Sequence, residues 1–284
     1  MSFNEEIYNL WREAEPSERG DYIPKFASTV PKNPNADVLF FTLNSSLPKR
    51  VNQRYRRWMK KIGWIQNEND NTEWRNKFEW KESTLATRYD KKFIELSAKI
   101  HDGARAMAGS GIRAAQAAHL YPRFFRRLNW LAEYIGMQRK QDDGLELYDY
   151  AHVDLYFWLD SSSQSIRSHV EAAPGFAERQ KTIAFRLLEA WRPRTIICPY
   201  SSVRQEISCF CRANGDIPDW RPLDNGNGRV QTANVKLRYW QKNVLIIICQ
   251  NLLGARSNVG VRAHEFKNIS QAIADCVSRA RDRY

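Results

Sequence analysis

The sequence predicts an α/β protein, a three-layer α/β/α sandwich built on a mostly parallel, four-stranded central sheet. Three observations lead to this expectation. Residues 244–249 form an unbroken apolar run, typical of a strand buried on both faces. Predicted strands alternate with predicted helices, as they do in parallel sheets. The 284 residues are 43% apolar and show no obvious linker, so we expect one domain over 1–284.

Helices are predicted where apolar residues recur at three- and four-residue spacing. Ile183, Leu187 and Trp191 share one helix face, and Pro193 ends that pattern because proline cannot continue a helix. The predicted helices cover residues 4–14, 121–137, 176–191, 201–211 and 266–281. Residues 49–120 give no clear pattern, and we expect a partly helical insertion there.

Strands are predicted from short β-branched or aromatic runs that end in turn-forming residues. They cover residues 36–43, 151–159, 194–198 and 244–249, with a small edge strand at 236–240. Loops or turns are predicted at 15–36, 138–144 and 218–233, where Pro, Gly or polar residues accumulate. Because open α/β sheets bind ligands beyond the carboxyl ends of their strands, we expect a site in the segments that follow residues 43 and 249.

The composition favours a polyanionic partner. A net charge of +12 accompanies ten tryptophans and twelve tyrosines, so we expect nucleic acid, the alternative being a merely soluble basic protein. No segment reaches the roughly 18 apolar residues of a membrane span, and no secretory signal is visible, so a cytoplasmic monomer without a membrane partner is expected. The five cysteines are expected to be reduced, and no metal or cofactor site is predicted.

A basic and aromatic stretch follows the first predicted strand. Residues 49–61 hold seven basic side chains and no acidic one, interleaved with Tyr55 and Trp58. Cationic side chains contact phosphates and aromatic rings stack on bases, which predicts DNA binding. The alternative is a solvated helix face whose aromatic residues pack inward. The predicted DNA contacts in this stretch are Lys49, Arg50, Arg54 and Arg57.

Two asparagines, Asn44 and Asn251, stand where two predicted strands end. An asparagine amide can position a water molecule and donate a hydrogen bond, but it is not a strong base. That suits a reaction whose leaving group departs largely on its own, such as cleavage of an N-glycosidic bond. The structural alternatives are a helix cap at Asn44 or Ser46 and a turn residue at Asn251. His152, His169 and His264 are other conceivable catalysts, but histidines beside strands are more often structural.

Both strand ends resemble motifs of the uracil-DNA glycosylase superfamily, most closely its mismatch-specific uracil/thymine branch. The family's first motif, Gly-Ile-Asn-Pro-Gly, corresponds here to Thr42-Leu-Asn44-Ser-Ser46. Its last motif, Asn-Pro-Ser-Gly-Leu-Ser, corresponds to Asn251-Leu-Leu-Gly254-Ala-Arg-Ser257, which is one residue longer. By order of elements the resemblance covers residues 36–46 and 121–280. The glycines and proline of the first motif and the proline and first serine of the second are missing, so uracil specificity does not carry over.

The resemblance implies a catalytic role for three side chains. Asn44 would hold the hydrolytic water against the sugar carbon, and Asn251 would contact the extruded base or that water. Asp160, at the exit of the second predicted strand, is the carboxylate expected to support catalysis, with a helix cap as its structural alternative. No metal or cofactor is implied.

The resemblance also implies contacts with DNA. Phe41, Tyr55 or Trp58 would stack on the base, and Thr42 would form part of the pocket wall. Leu252, Leu253 and Arg256 would wedge into the duplex where a nucleotide has been flipped out. The serines expected to bind flanking phosphates are Ser45, Ser46 and Ser257.

The expected function is therefore a DNA glycosylase for a damaged, mismatched or modified base. Hypermodified bases of phage DNA are one such target, and the enzyme would then serve antiviral defence. A second hypothesis is a catalytically inactive reader with the same fold that binds nucleic acid. A third is a nucleoside or nucleotide hydrolase, which would act on free nucleosides and bind duplex DNA poorly.

Overall fold

The computed structural model describes residues 3–15, 18, 23–24, 37–43, 45–46, 122–142, 145–160, 163–240, 242–253 and 263–282. The insertion predicted at 49–120 lies outside these residues, so its partly helical character stays a prediction.

All but one of the helices within the described ranges begin and end close to where periodicity places them. They are α1 (Phe3–Glu13), α2 (Pro122–Tyr134), α3 (Ser163–Ala172), α4 (Pro174–Trp191), α5 (Arg204–Asn214) and α6 (Ala263–Asp282), with a 3-10 turn at Ser201–Val203. The predicted end before Pro193 is confirmed: Arg192, with φ 45°, caps α4 and donates its N–H to Leu188 O. Helix α3 is not among the predicted elements.

The described strands form three sheets. In chain order they are β1 (Ile23–Pro24), β2 (Val38–Thr42), β3 (Ser45–Ser46), β4 (Arg139–Asp142), β5 (Leu145–Tyr148), β6 (Ala151–Asp154), β7 (Trp158–Asp160), β8 (Thr195–Cys198), β9 (Arg221–Pro222), β10 (Val230–Val235) and β11 (Val244–Cys249). The central sheet has the order β6-β2-β8-β11-β10-β9. Strands β1, β7 and β3 form a small sheet, and β4 pairs with β5.

The mostly parallel α/β architecture is confirmed, but the central sheet has six strands and not four. Strands β6, β2, β8 and β11 are parallel, whereas β10 and β9 add an antiparallel margin. The loop predicted at 218–233 is therefore wrong in part, because it contains β9 and most of β10. The edge strand predicted at 236–240 is also wrong, since the only pairing described there is a bridge from Leu237 to Gly215.

The second predicted strand, 151–159, is divided between two sheets. Strand β6 ends at Asp154, while β7 belongs to the small sheet. The following backbone still follows β2, because Leu155 N donates to Thr42 O at 2.7 Å. The turn predicted at 138–144 is likewise interrupted by strand β4.

Helices lie on both faces of the central sheet. Successive side chains of β2 point to opposite faces, so they contact helices on either side. Phe41 packs against Phe185 of α4, with ring centroids 5.9 Å apart. Phe40 contacts Tyr150 at 4.9 Å on the opposite face, and the Tyr150 hydroxyl donates to Asn129 Oδ1 of α2 at 2.8 Å. The arrangement is compatible with a three-layer α/β fold. No helix in the described ranges is both long and apolar enough to cross a membrane.

Strand β11 is buried along its whole length, as its apolar run predicts. It is parallel to β8 on one side and antiparallel to β10 on the other, so it is an interior strand with one parallel neighbour. At the amino edge of the sheet, Arg281 Nε donates to Asp37 Oδ2 at 2.6 Å and joins α6 to the start of β2. The opposite edge, where the parallel strands end, carries the predicted motifs.

Candidate functional site at the carboxyl edge

The carboxyl ends of β6, β2, β8 and β11 meet at one edge because these strands are parallel. Strand β8 lies between β2 and β11, so the ends that precede the two predicted motifs are separated by about 10 Å, two strand spacings. Hydrogen bonds join neighbouring exits: Tyr156 N donates to Leu43 O at 2.9 Å, and Leu252 N donates to Pro199 O at 3.0 Å. The fold thus brings distant segments of the sequence to one edge.

A buried polar cluster lies at this edge and consists of Thr42, His152 and Asp154, here called the carboxyl-edge cluster. All three residues are at most 2% exposed. Thr42 Oγ1 lies 2.9 Å from His152 Nε2 and donates to Asp154 Oδ1. His152 Nε2 lies 3.6 Å from the same carboxylate oxygen. The register explains the cluster, since Thr42 pairs with Asp154 and His152 precedes Asp154 on the same strand face.

The hydrogen-bonding capacities of these groups assign their protons. A threonine hydroxyl has a single proton to donate, and Thr42 donates it to Asp154 Oδ1. The hydroxyl oxygen is then left to accept from His152 in the tautomer that carries a proton on Nε2. The cluster therefore holds a buried carboxylate against the last residue of β2.

Aromatic rings of α2 cover the cluster from the helix side. The His152 ring lies 5.6 Å from Phe124 and 5.8 Å from Phe125, the second contact being edge-to-face. These rings exclude water from the imidazole, and a low-dielectric surrounding strengthens the polar interactions within the cluster. Asp154 and His152 are therefore shielded from solvent and held in place by these contacts.

Two further polar side chains border the same edge. Tyr200 follows β8, and burial raises the pKa of its hydroxyl well above the usual value; the charge of Asp154 adds to this effect and Arg127 opposes it. The phenol is therefore protonated at neutral pH. Arg127 of α2 donates from Nη1 to Leu252 O at 3.2 Å, which links α2 to the exit of β11.

Asn251, the predicted catalytic residue after β11, is exposed at this edge with φ 50°. Asparagine is among the few non-glycine residues that adopt this left-handed conformation readily. The backbone thus gives a physical reason for the turn-residue alternative, while the exposed amide stays accessible for the predicted chemistry. The catalytic role stays a prediction.

Several predicted DNA-contacting side chains are buried in the described structure. Leu252 and Leu253 are 0% and 2% exposed, so neither can enter a duplex in this conformation. Phe41 is 0% exposed and packs against α4, and Thr42 belongs to the carboxyl-edge cluster. A wedge of leucines or a base stacked on Phe41 would require rearrangement, because the core already occupies these side chains.

Backbone pairing brings another predicted pair together. Strand β3 runs parallel to β7, with Ser45 opposite Leu159 and Ser46 opposite Asp160. Asp160 therefore lies beside the first motif in the small sheet and does not end a strand of the central sheet. The described structure does not include the side chains of Ser45, Ser46 and Asp160, so their predicted roles stay predictions.

The remaining predicted site residues lie outside the described residues. Asn44 falls between the described residues Leu43 and Ser45. The others are Lys49, Arg50, Arg54, Tyr55, Arg57, Trp58, Arg256 and Ser257. Their roles in water positioning, stacking and phosphate binding stay predictions.

Asp154, Tyr200 and Arg127 are not among the residues predicted from the sequence to share one site. The spacing of His152 and Asp154 on a strand was a visible signal, because residues two apart share a face. Their contact with Thr42, however, depends on the register between β2 and β6. Among the described residues, no group of three His, Cys, Asp or Glu side chains could hold a metal ion.

No protein-family model, curated protein or solved structure matches the chain.

Proposed function

We propose that this protein is a DNA glycosylase that hydrolyses the N-glycosidic bond of an extruded base. The observation that carries the proposal is the shared edge of the sheet: the ends of β2 and β11, which precede the two motifs, are separated only by β8. The two motifs, about 200 positions apart in the sequence, thereby follow strand ends at the same edge of the sheet. Carboxyl edges of this kind are where open α/β sheets bind ligands.

In the proposed reaction, the bond between the base and the sugar carbon breaks, and its electron pair leaves with the base. Asn44 positions the water whose oxygen adds to the resulting oxocarbenium-like carbon, and the released proton passes to the base or to solvent. Asn251, exposed at the same edge, contacts the departing base or that water. Neither asparagine needs to act as a strong base, because departure of the base precedes capture of water.

The carboxyl-edge cluster supports this chemistry indirectly, and its members are positioning residues. Thr42 stands two residues before Asn44, and its bond to Asp154 holds the end of β2 against β6. Because Asp154 is buried, this bond is shielded from water and fixes the strand that leads into the first motif. Asp154 therefore joins Asp160 as a carboxylate to test.

The proposal does not require the leucine wedge. Exposing Leu252 and Leu253 would cost roughly 3–6 kcal/mol, given about 1.5–3 kcal/mol for each buried leucine side chain. Base extrusion itself costs a few kcal/mol, supplied by phosphate contacts and the pocket. The net charge of +12 favours such contacts. A residue that is already exposed would fill the space left by the extruded base at a lower cost in free energy.

A reader that binds nucleic acid without catalysis is the second candidate function. The burial of Phe41 and Thr42 favours it, because neither is accessible to a base. The left-handed backbone at Asn251 favours it as well, since it explains that asparagine without chemistry. The reader and the enzyme share the same partner and differ in whether a base is released.

Duplexes that contain single candidate bases distinguish these functions. We expect the wild-type protein to create alkali-sensitive abasic sites and Asn44→Ala to lose them while still binding the duplex. Asn251→Gly preserves the left-handed backbone and removes the amide, so a loss of rate in this variant reports the side chain. Tight binding without base release from any duplex would favour the reader. Release from free nucleosides with poor duplex binding would favour a nucleoside hydrolase.

A further inference from the structure

An open groove lies between α2 and α6. Its volume is about 440 Å³, and it is lined by Trp130, Glu133, Tyr134, Phe266 and Lys267. This set of residues is called the α2–α6 groove. Trp130 is 45% exposed, although tryptophan has a large apolar ring. Its ring centroid lies 6.1 Å from that of buried Phe266, with the planes inclined by 59°, so the floor of the groove is aromatic.

Two cations belong to the helices that form the α2–α6 groove: Lys267 lines it, and Arg126 lies on α2. Arg126 and Lys267 are both exposed. Arg126 lies one turn before Trp130, and residues four apart on a helix share a face. A cation beside a stacking ring is the combination with which proteins hold unpaired nucleotides, one group for the phosphate and one for the base.

Among the described residues that line the groove, Glu133 is the carboxylate, and its charge is already compensated. Glu133 Oε1 accepts from Arg139 Nη2 at 2.6 Å and from the Tyr148 hydroxyl. Partial burial would raise the pKa of Glu133, but the hydrogen bonds from Tyr148 and Arg139 outweigh it and lower the pKa overall. The carboxylate is thus ionised and paired, so it opposes a phosphate less than a lone charge would.

Arg127 connects the groove to the candidate site. Its guanidinium lies 5.6 Å from the centroid of Phe266, within cation–π distance. The same guanidinium donates to Leu252 O at the exit of β11. A single side chain therefore contacts both the floor of the groove and Leu252, the second residue of the predicted motif that follows β11.

We propose that the α2–α6 groove binds an unpaired nucleotide of a DNA strand, with its base against Trp130 and its phosphates near Arg126 and Lys267. The volume falls within the range typical of small-ligand pockets, and every base offers a π-face to a tryptophan ring. This inference rests on the proposed function, because it adds a second contact for the same nucleic acid. The chain's net charge of +12 favours DNA over a neutral apolar peptide as the occupant.

Fluorescence anisotropy with a short fluorescein-labelled oligothymidylate tests the groove directly. We expect Trp130→Ala to raise Kd roughly 5- to 150-fold, the range that stacking of one base supports. Trp130→Phe keeps an aromatic ring and should recover most of the affinity. Tyr239→Ala is the matched control, because Tyr239 is an aromatic side chain 72% exposed that does not line the groove. Arg126→Ala should reduce the slope of log Kd against log salt by about 0.7, the contribution of one phosphate contact on a single strand.

An unchanged Kd in Trp130→Ala, with the variant folded by circular dichroism, would overturn the inference. So would a change in sedimentation that shows Trp130 holding two copies of the chain together, without an effect on oligothymidylate binding. The proposed enzyme fails separately: weaker binding in Trp130→Ala, with no base released by the wild-type protein, would support the groove and refute the glycosylase. Base release that depends on Asn44 but not on Trp130, together with an unchanged Kd, would support the glycosylase and refute the groove.

Discussion

Replacing Thr42 by valine removes the hydroxyl at the centre of the carboxyl-edge cluster and keeps the branched shape of the side chain. The hydroxyl contacts both His152 and Asp154, and Thr42 is 0% exposed. A hydrogen bond to a charged group contributes about 1.5–3 kcal/mol and a neutral one about 1 kcal/mol. The added methyl group offsets about 0.8 kcal/mol. We therefore expect the free energy of unfolding to fall by roughly 2–3 kcal/mol.

Urea unfolding followed by circular dichroism measures this change, and Thr42→Ser is its control. Serine keeps the hydroxyl and removes one methyl group, which costs about 1 kcal/mol in a buried site. Thr42→Val should therefore be less stable than Thr42→Ser. Equal free energies of unfolding for Thr42→Val and Thr42→Ser would contradict a stabilising role of the hydroxyl. A double-mutant cycle with Asp154→Asn should also show non-additivity, because the two residues share one hydrogen bond.

The remaining predictions concern single side chains. Asn251→Gly should leave stability nearly unchanged while Asn251→Ala lowers it by about 1 kcal/mol in urea unfolding, because φ is 50° there; equal stabilities would contradict the left-handed turn. The raised pKa of Tyr200 means that folding favours the protonated phenol, so its contribution is complete below pH ~10 and decreases as pH rises further. Tyr200→Phe should therefore lose less stability than wild type between pH ~9 and ~11, and parallel curves would argue against burial of the phenol. Exposed Cys209 should react with Ellman's reagent before the buried thiols of Cys198, Cys211 and Cys249, whose pKa values burial raises; equal rates in the native protein would contradict the described core.

The local sequence pattern was sufficient to predict the parallel strands and the helix that ends before Pro193. The apolar run of β11 is buried residue by residue, and the boundary of α4 before Pro193 follows from the chemistry of proline. The antiparallel margin was not predicted, because β10 (Val-Gln-Thr-Ala-Asn-Val) lacks a regular alternation of polar and apolar residues and begins in a segment rich in turn formers. Its pairing with β11 over six residues compensates for a weak local preference, an effect of tertiary context that a short window does not contain.

The candidate site was only partly predictable, because some of its contacts depend on how distant strands pair. The strand ends that precede Asn44 and Asn251 are visible in the sequence, and parallel pairing then brings the carboxyl ends of β2 and β11 to one edge of the sheet. The contact among Thr42, His152 and Asp154 depends instead on the register of β2 against β6, where a shift of one residue would turn each side chain to the other face. Burial of Leu252 was likewise not evident, because a leucine after a strand can be exposed or buried.

Mass spectrometry of bases released from several natural DNAs, including modified phage genomes, tests the central claim most directly. The glycosylase proposal predicts that the wild-type protein releases a free base from at least one of them, and that Asn44→Ala, folded to the same extent, releases none. A wild-type protein that binds these DNAs and releases no base from any of them would contradict the proposal and leave the reader as the better account.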